Sequence, residues 1–315
     1  MEYRKLGKAG IKVSEISLGA WLTYGESVDF EVTKKCIYTA IENGINFFDL
    51  ADVYAKGEAE RVVGKILKDF RRQDLVISSK VYWPMSDNVN DRGLSRKHIM
   101  ESIEGSLKRL GTDYLDIYFC HRFDPETPLE EVIRAMDDLV HQGKILYWGT
   151  SVWTAAQIER AVGICEKLNC YKPQVEQPRY NMLDRHIEQE IIPTCSMYGI
   201  GITVFSPLAQ GVLTGKYNEG IPSKTRAEWS EWIRRDLTEE NINKVIKLTE
   251  IAKDMGITMS QLALAWILRK PEISSVITGA SKPEQVLENV KASGIKLSEE
   301  VLKKIDDILL ENQNL

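Results

Sequence analysis

Metal-ligand and disulfide patterns are missing from this chain. Its five cysteines are an odd number, no two of them form a C-x-x-C pair, and its four histidines show no paired ligand spacing. Structural zinc sites and small disulfide-bonded folds depend on such spacings. We therefore expect reduced thiols, as in a cytoplasmic protein, and no metal site. The cysteines are Cys36, Cys120, Cys165, Cys170 and Cys195.

Long apolar runs and an excess of positive charge are missing as well. No segment approaches the ~20 apolar residues that a membrane-spanning helix needs. The first residues, MEYRKLGKAGIKVSEISLG, carry charges throughout and lack the apolar core of a secretion signal. The formal net charge of −5 gives no support for nucleic-acid binding. The sequence predicts a cytoplasmic protein with neither nucleic-acid nor membrane partners, and it leaves the oligomeric state open.

Short apolar segments alternate with amphipathic helical ones along the whole chain. Ile99, Ile103 and Leu107 have helical spacing, and Gly111 follows where that helix should end. Eight such strand–helix units predict an α/β fold, a closed (β/α)8 TIM barrel, in a single domain over residues 1–315. The predicted strands are 15–19, 45–50, 75–80, 115–121, 145–151, 173–177, 201–207 and 274–280.

Three further segments accompany the predicted barrel. The opening YRKLGKAGIKVS indicates an N-terminal hairpin that turns between Gly7 and Gly10 and closes the bottom of the barrel. Residues 217–237 form a long loop after strand seven, on the side where barrel active sites lie, and loops of that length are usually functional. Residues 295–315 predict an extra amphipathic helix.

Polar residues end three successive predicted strands. Strand two ends at Asp49, strand three at Lys80 and strand four at His121, while Tyr54 follows Asp49 by five residues. Each has an ordinary explanation: an acid that starts a turn, a solvated lysine, a hydrogen-bonded core histidine and a half-buried aromatic ring. All four ordinary explanations would have to be true at once, and at the strand ends where barrels place their active-site side chains. The joint pattern therefore favours a functional site.

Carbonyl reduction is a chemistry that would use all four side chains. A tyrosine can donate a proton to the carbonyl oxygen, but its usual pKa of about 10 makes it a weak acid. A neighbouring lysine ammonium would lower that pKa, and a fall of about 3 units corresponds to roughly 4 kcal/mol. We therefore assign Tyr54 as the acid, Lys80 as its activator, Asp49 as the partner of Lys80, and His121 as a hydrogen-bond donor that orients the carbonyl.

A second functional segment follows strand eight. Ser281-Lys282-Pro283-Glu284 has the spacing of a helix capping box, so Ser281 could simply cap a helix. A helix N-terminus after strand eight is also a frequent phosphate site in barrels, and Lys282 adds a cation there. No G-x-G-x-x-G motif follows a strand, and GVLTGKY lacks the residues of a P-loop. Any dinucleotide would have to bind across the barrel mouth without a Rossmann unit.

The chain resembles the aldo-keto reductase superfamily along nearly its whole length. Asp49, Tyr54, Lys80 and His121 match the catalytic tetrad of that family, including the Asp–Tyr spacing. The segments GTSVWTAAQI, VEQPRYNML, FSPLAQGVLTGKY and ITGASKPEQVLENV are most similar to the branch that contains the potassium-channel β subunits and their microbial relatives. The resemblance implies an NADPH-dependent oxidoreductase that reduces aldehydes or ketones, with α-keto esters among the candidate substrates.

The resemblance also implies a set of cofactor contacts. It places Trp21, Asp49, Ser151 and Gln177 near the nicotinamide, with the ring of Phe205 stacked on it. It places Ser206, Pro207, Leu208, Ala209 and Gln210 along the pyrophosphate, and Lys216 and Arg226 on phosphates. Gly279, Ser281, Lys282, Gln285, Glu288 and Asn289 complete the set at the adenosine end. Lys282 should favour the 2′-phosphate of NADPH, although use of NADH remains an alternative.

Two questions stay open in the sequence. Channel β subunits carry an asparagine at the position of His121 and have N-terminal extensions, so this chain favours a working reductase over a cofactor-binding regulatory subunit with slow residual activity. A phosphosugar-processing barrel would explain the phosphate site but not Tyr54 with Lys80.

Arg122 could attract a substrate carboxylate or pair with Asp124. Six residues in loops at the barrel mouth could line the substrate pocket, namely Tyr24, Trp83, Arg122, Trp153, Trp229 and Trp232.

Overall fold

A closed barrel of eight parallel strands forms the centre of the molecule, in a computed structural model that describes residues 1–21, 24–25, 27–223 and 225–311. Each strand pairs in parallel with its neighbours, and the last strand closes the barrel by pairing with both the first and the seventh. The TIM-barrel prediction is confirmed. In the described residues, the strands are β1 (Tyr3–Lys5), β2 (Lys12–Ser14), β3 (Ile16–Gly19), β4 (Phe47–Asp49), β5 (Val76–Val81), β6 (Leu115–Cys120), β7 (Ile145–Ser151), β8 (Val175–Gln177), β9 (Gly201–Val204) and β10 (Ile273–Thr278).

Helices surround the barrel and mostly alternate with its strands. The N-terminal caps follow the sequence: Asp29 accepts from the Glu31 amide, and Thr154 with Gln157 forms a full capping box. Gly111 ends its helix with φ of 66°, a conformation that glycine adopts at little cost. In chain order the described helices are α1 (Phe30–Glu42), α2 (Glu58–Leu67), α3 (Arg96–Leu110), α4 (Leu129–His141), α5 (Ala155–Leu168), α6 (Ile191–Tyr198), α7 (Arg226–Trp229), α8 (Glu239–Asp254), α9 (Met259–Leu268), α10 (Pro283–Val290) and α11 (Glu299–Leu310).

The N-terminal hairpin closes one end of the barrel, as the sequence predicts. β1 and β2 pair antiparallel, and the buried side chains of Leu6 and Val13 pack against apolar residues at the beginnings of the barrel strands, such as Val76 and Val175. The Lys8 amide donates to the Gly199 carbonyl oxygen at 2.8 Å. Burying a leucine or valine stabilises a fold by about 1.5–3 kcal/mol, which holds the hairpin against the barrel. The hairpin thereby closes this end. The active site must therefore lie at the opposite end of the barrel, where the strands end.

One strand boundary and one predicted loop differ in detail from the sequence-based expectation. The seventh strand was predicted to reach residue 207 but ends at Val204, because Ser206 has φ of 52°, which a strand cannot contain. The loop over residues 217–237 is not wholly irregular, since it contains α7 and a 3-10 turn at Glu231–Ile233. The extra C-terminal helix is confirmed as α11. Among the described helices, none combines the length and the apolar character needed to cross a membrane.

Candidate active site

A buried ion pair lies where β4 and β5 end. The Lys80 Nζ donates to the Asp49 Oδ2 at 2.6 Å and to the Leu50 carbonyl oxygen at 2.6 Å, and it lies 3.3 Å from the Tyr54 hydroxyl. Lys80 is fully buried and Asp49 is 3 % exposed. Three acceptors thus satisfy all three donors of the ammonium, which makes its burial tolerable.

Two side chains that flank the ion pair fix the Asp49 carboxylate. Its Oδ1 accepts from the Ser78 hydroxyl at 2.7 Å and from the Gln177 side-chain amide at 2.9 Å. Sequence reasoning missed Ser78. A signal was present, because Ser78 precedes Lys80 by two residues in a strand and so lies on the same face of the barrel wall. Gln177 contacts Asp49 as well as bordering the cleft described below.

Tyr54 is delivered to Lys80 by a tight turn. After β4 the chain enters a 3-10 helix at Tyr54, and Ala55 and Lys56 then have φ of 49° and 50°. Two successive non-glycine residues in the left-handed region are uncommon, and such strain clusters at functional sites. Asp52, just before the turn, is buried and accepts from the Val53 amide and the Ser102 hydroxyl. The turn brings the Tyr54 hydroxyl back over the end of β5.

Burial and charge act in opposite directions on this pair. Burial alone would lower the pKa of Lys80, but the negative charge of Asp49 and the hydrogen bonds to Asp49 and Tyr54 outweigh it and raise that pKa, so the ammonium stays protonated. Burial raises the pKa of Tyr54 above its usual value of 10, and the nearby Lys80 only partly opposes this rise. The expected lowering of the Tyr54 pKa is therefore wrong. The phenol keeps its proton at neutral pH, and Lys80 stabilises the phenolate that would form on proton transfer.

His121 follows β6 and faces the same centre. Its ring meets the Tyr54 ring edge to face, with centroids 5.9 Å apart, and lies 6.3 Å from the Trp83 ring. Burial lowers the pKa of His121 well below 6.5, and the positive charges of Lys80 and Arg122 add to this effect. The imidazole is neutral at pH 7 and has one ring N–H to donate. Among the described residues, its buried Nδ1 has no hydrogen-bond partner.

A cleft of about 1690 Å³ runs from this centre across the C-terminal end of the barrel. It is larger than a pocket for one small molecule, which is usually 300–1,000 Å³. The following sequence-predicted residues border it: Trp21, Tyr24, Asp49, Tyr54, Trp83, His121, Arg122, Ser151, Gln177, Phe205, Ser206, Pro207, Leu208, Gln210, Lys216, Trp232, Gly279, Ser281, Lys282, Gln285, Glu288 and Asn289.

Of the predicted site residues whose side chains the structure describes, three do not border the cleft. Lys80 lies beneath its floor. Ala209 is fully buried within the turn after β9, so it does not line the cleft. The substrate-pocket prediction for Trp153 is wrong, because its ring is 2 % exposed and packs in the core against Phe123. The side chains of Arg226 and Trp229 lie outside the described part of the structure.

The far end of the cleft begins at the N-terminus of α10. The capping interpretation of Ser281 is wrong: Lys282 is the cap residue, and no side chain caps this helix. Instead the Gln285 side chain accepts from both the amide and the hydroxyl of Ser281, at 2.8 and 3.3 Å. The first amides of α10 have no capping side chain to accept from them, which is the arrangement that binds anions.

The turn after β9 forms the middle of the cleft. Ser206 and Gln210 have φ of 52° and 58°, and Gln210 donates to the Ser206 hydroxyl at 3.0 Å. The Asn181 amide group donates to the Ser206 carbonyl oxygen at 3.0 Å and so fixes the turn from below. Lys216 also borders this part of the cleft. Sequence reasoning missed Asn181, whose partner is fixed only by the tertiary fold.

These features fit a dinucleotide. The cleft joins a proton-donating centre at one end, an aromatic ring and a strained polar turn in the middle, and an uncapped helix N-terminus beside Lys282 at the other. Lys216 and Lys282 supply positive charge where phosphates would lie, while Glu288 accepts from the Thr258 hydroxyl at 2.9 Å at the far end. A nicotinamide dinucleotide has its reactive and anionic groups in this order.

Comparison with known proteins gives the same assignment. Residues 15–310 match the model of the aldo/keto reductase family. The chain is 46% identical to a probable voltage-gated potassium channel subunit beta of Arabidopsis thaliana, over 98% of this chain and 97% of that protein. It is 47% identical to a putative voltage-gated potassium channel subunit beta of Schizosaccharomyces pombe, over 98% of this chain and 93% of that protein. The chain belongs to the aldo/keto reductase family, whose members are oxidoreductases that generally use NAD(P)H.

Proposed function

We propose that this protein is an NADPH-dependent carbonyl reductase of the cytoplasm, acting as one domain on aldehydes and ketones, with α-keto esters among its candidates. One observation carries the proposal. The Tyr54 hydroxyl lies 3.3 Å from a buried, charged Lys80 and beside a neutral His121, at the end of a cleft that fits a dinucleotide. An acid with its own activator and an orienting donor is what carbonyl reduction requires of the protein.

The residues would divide the work as follows. The cleft would hold a reduced nicotinamide, whose chemistry when bound would be to supply a hydride for the carbonyl carbon. The His121 N–H donates to the carbonyl oxygen and orients it, while Tyr54 gives that oxygen its proton. Lys80 stabilises the phenolate left behind, because its ammonium is 3.3 Å away in a partly dehydrated site. Asp49, held by Ser78 and Gln177, keeps Lys80 charged and directed at Tyr54.

The cofactor contacts remain part of the proposal. Trp21, Ser151 and Gln177 would hold the nicotinamide end and Phe205 would stack on it. The turn over residues 206–210 would follow the pyrophosphate. Lys216 and Arg226 would contact phosphates, and the start of α10 would take the adenosine phosphate. We favour NADPH over NADH because Lys282 puts a cation at that end. NADH remains the alternative cofactor.

A regulatory role is the second candidate, and the names of the relatives favour it. The relatives in Arabidopsis thaliana and Schizosaccharomyces pombe are named as channel subunits, so this chain could act as a cofactor-binding partner protein with slow residual chemistry. The length argument from the sequence does not separate the two roles, because the alignment covers 97% and 93% of those relatives. His121, where channel β subunits are expected to carry asparagine, favours the reductase.

The direct test is turnover. Purified protein should oxidise NADPH in the presence of aldehydes, ketones and α-keto esters, and one alcohol should form for each NADPH consumed. The same panel with NADH measures cofactor preference. Binding of NADPH without any alcohol formed across the panel would reject the reductase and favour the regulatory role.

A further inference from the structure

Arg122 brings a positive charge to the reactive end of the cleft. It directly follows His121, borders the cleft, and its guanidinium carbon lies 5.6 Å from the centroid of the Trp83 ring. One Nη1–H donates to the His121 carbonyl oxygen. Within the described ranges, no carboxylate oxygen lies within 4.0 Å of this guanidinium.

The acid that the sequence offered as a partner is used elsewhere. Asp124 accepts from the Leu94 amide at 2.7 Å, from the Thr127 hydroxyl at 2.8 Å and from the Glu126 amide at 3.0 Å. Its carboxylate therefore stabilises the loop after β6 through Glu126 and Thr127, and the loop before α3 through Leu94. Of the two alternatives that the sequence left open for Arg122, pairing with Asp124 is the one that the structure contradicts.

Glu176 interacts electrostatically with Arg122 but does not border the cleft. Its carboxylate is fully buried, accepts from the Thr150 hydroxyl at 2.5 Å and from the Trp153 amide at 3.3 Å, and does not border the cleft. These bonds hold the loop after β7. Glu176 therefore contributes to the electrostatic field at Arg122 without occupying its donors.

The other arginines of the cleft show what a structural role looks like. Arg179 donates to Asp236 at 2.5 Å, and Arg235 donates to Asp184 at 2.7 Å. Both link the loop after β9 to the loop after β8. A guanidinium has five donors in a fixed plane suited to bidentate binding of a carboxylate. Arg122 uses one of these donors for the His121 carbonyl oxygen, and its side chain borders the cleft.

We propose that Arg122 binds a carboxylate carried by the substrate, so that the preferred substrates are oxo acids. This inference rests on the proposed reductase function. The carbonyl oxygen would lie between Tyr54 and His121, the carboxylate on Arg122, and Trp83 would cover the chain between them. One hydride adds to the carbonyl carbon and one proton to its oxygen, NADPH becomes NADP⁺, and the carboxylate leaves unchanged as part of a hydroxy acid.

Matched pairs of substrates test this inference. Pyruvate and methyl pyruvate share a carbonyl next to the acid, and 4-carboxybenzaldehyde and methyl 4-formylbenzoate share a distant one. The wild type should prefer the acid in at least one pair by kcat/KM. Arg122→Met should reduce that preference about 10- to 100-fold, the effect of losing a hydrogen bond to a charged group. Arg122→Lys should retain part of it, and Arg134→Met, which removes an exposed charge on α4, should leave it unchanged.

Either of two results would by itself overturn the inference. One is a wild type that prefers the ester in both pairs. The other is an Arg122→Met variant that loses activity equally on acid and ester, because Arg122 would then act only by positioning His121. If no carbonyl compound is reduced at all, benzaldehyde included, the proposed function itself fails. Calorimetric titration with benzoate still decides on Arg122, since its binding should weaken at least tenfold in Arg122→Met, and equal binding contradicts the assignment.

Discussion

At the scale of residues, the site depends on a lysine that is fully buried and still charged. The Lys80 ammonium is removed from water, and the negative charge of the Asp49 carboxylate, 2.6 Å away, offsets much of the cost of burying it. Removing one member of such a buried pair typically costs about 3–5 kcal/mol, whereas removing both can be nearly neutral. Stability and catalysis can therefore be separated at these two positions.

Replacing Lys80 tests that separation. Lys80→Met should lower the free energy of unfolding by about 3–5 kcal/mol, because it leaves Asp49 buried without its cation. It should also lower kcat by at least about 100-fold, since phenolate stabilisation is lost. The double variant Asp49→Asn/Lys80→Met should recover much of the stability and none of the activity. Urea unfolding and carbonyl-reduction rates measure both, and activity that recovers together with stability would refute the role of Lys80.

At the scale of elements, the cleft is assembled from strand ends, one uncapped helix and one long loop. The strand ends could be predicted from the sequence, because apolar runs that stop at Asp49, Lys80 and His121 mark both the strand and its functional residue. The state of Ser281 could not, because a capping box and an uncapped N-terminus share one sequence pattern, and only the hydrogen bond that Ser281 makes to Gln285 in the structure distinguishes them.

The N-terminus of α10 should set the cofactor preference. Lys282→Ala removes the cation next to the proposed 2′-phosphate, so the NADPH/NADH ratio of kcat/KM should fall about 10- to 100-fold. Lys291→Ala is the matched control, because it removes the same charge from the other end of the same helix. An unchanged ratio in Lys282→Ala would show that selectivity, if any, comes from elsewhere.

The segment over residues 217–237 should behave as a lid. Its Trp232 ring meets Trp21 edge to face with centroids 6.0 Å apart, so the segment reaches the loop after β3 across the cleft. At its other end, Asp236 pairs with Arg179. Limited trypsin digestion within this segment should slow several-fold when NADP⁺ saturates the cleft, and Asp236→Asn should accelerate it without cofactor. Cleavage at the exposed Arg92 is the internal control; equal rates in the segment with and without NADP⁺ would exclude a cofactor-dependent lid.

At the scale of the whole molecule, the barrel could be predicted because its strands are buried on both faces and read as apolar runs, as in Val76–Val81. The errors lie where tertiary contacts override a local pattern. Trp153 looks like a pocket residue in the sequence, yet the fold turns it into the core, and Ser206 ends a strand through its backbone conformation. Asn181 gains its role only from the Ser206 carbonyl oxygen, which the tertiary fold brings close.

Buried acids give the whole protein a characteristic pH dependence. Burial raises the pKa of Glu176 to about 7, and burial with the nearby charge of Glu60 raises that of Asp52 to about 7. Unfolded carboxyls titrate near 4. Between about pH 4 and 7 the folded state therefore holds more protons than the unfolded state, so each group's contribution to stability is complete below pH 4 and is lost as the pH rises through 7.

Glu176→Gln should remove its part of that loss. The free energy of unfolding of the variant minus that of the wild type should be about 2 kcal/mol larger at pH 8 than at pH 5, so the variant gains stability relative to the wild type as the pH rises. Comparing two pH values cancels any constant cost of changed hydrogen bonds to Thr150 and Trp153. Glu130→Gln, at an exposed position on α4, is the control and should show no such difference. Urea unfolding at both pH values checks this, and a pH-independent effect of Glu176→Gln would contradict it.

The most direct test of the central claim is the rate of carbonyl reduction by the Tyr54→Phe variant. This change removes one hydroxyl, which the structure places 3.3 Å from the Lys80 ammonium. We expect kcat to fall by at least about 100-fold, the range of general acid catalysis, while NADPH binding stays nearly unchanged. Tyr171→Phe, at an exposed tyrosine, should be indistinguishable from the wild type. Retention of most of kcat in Tyr54→Phe would contradict the assignment of Tyr54 as the proton donor.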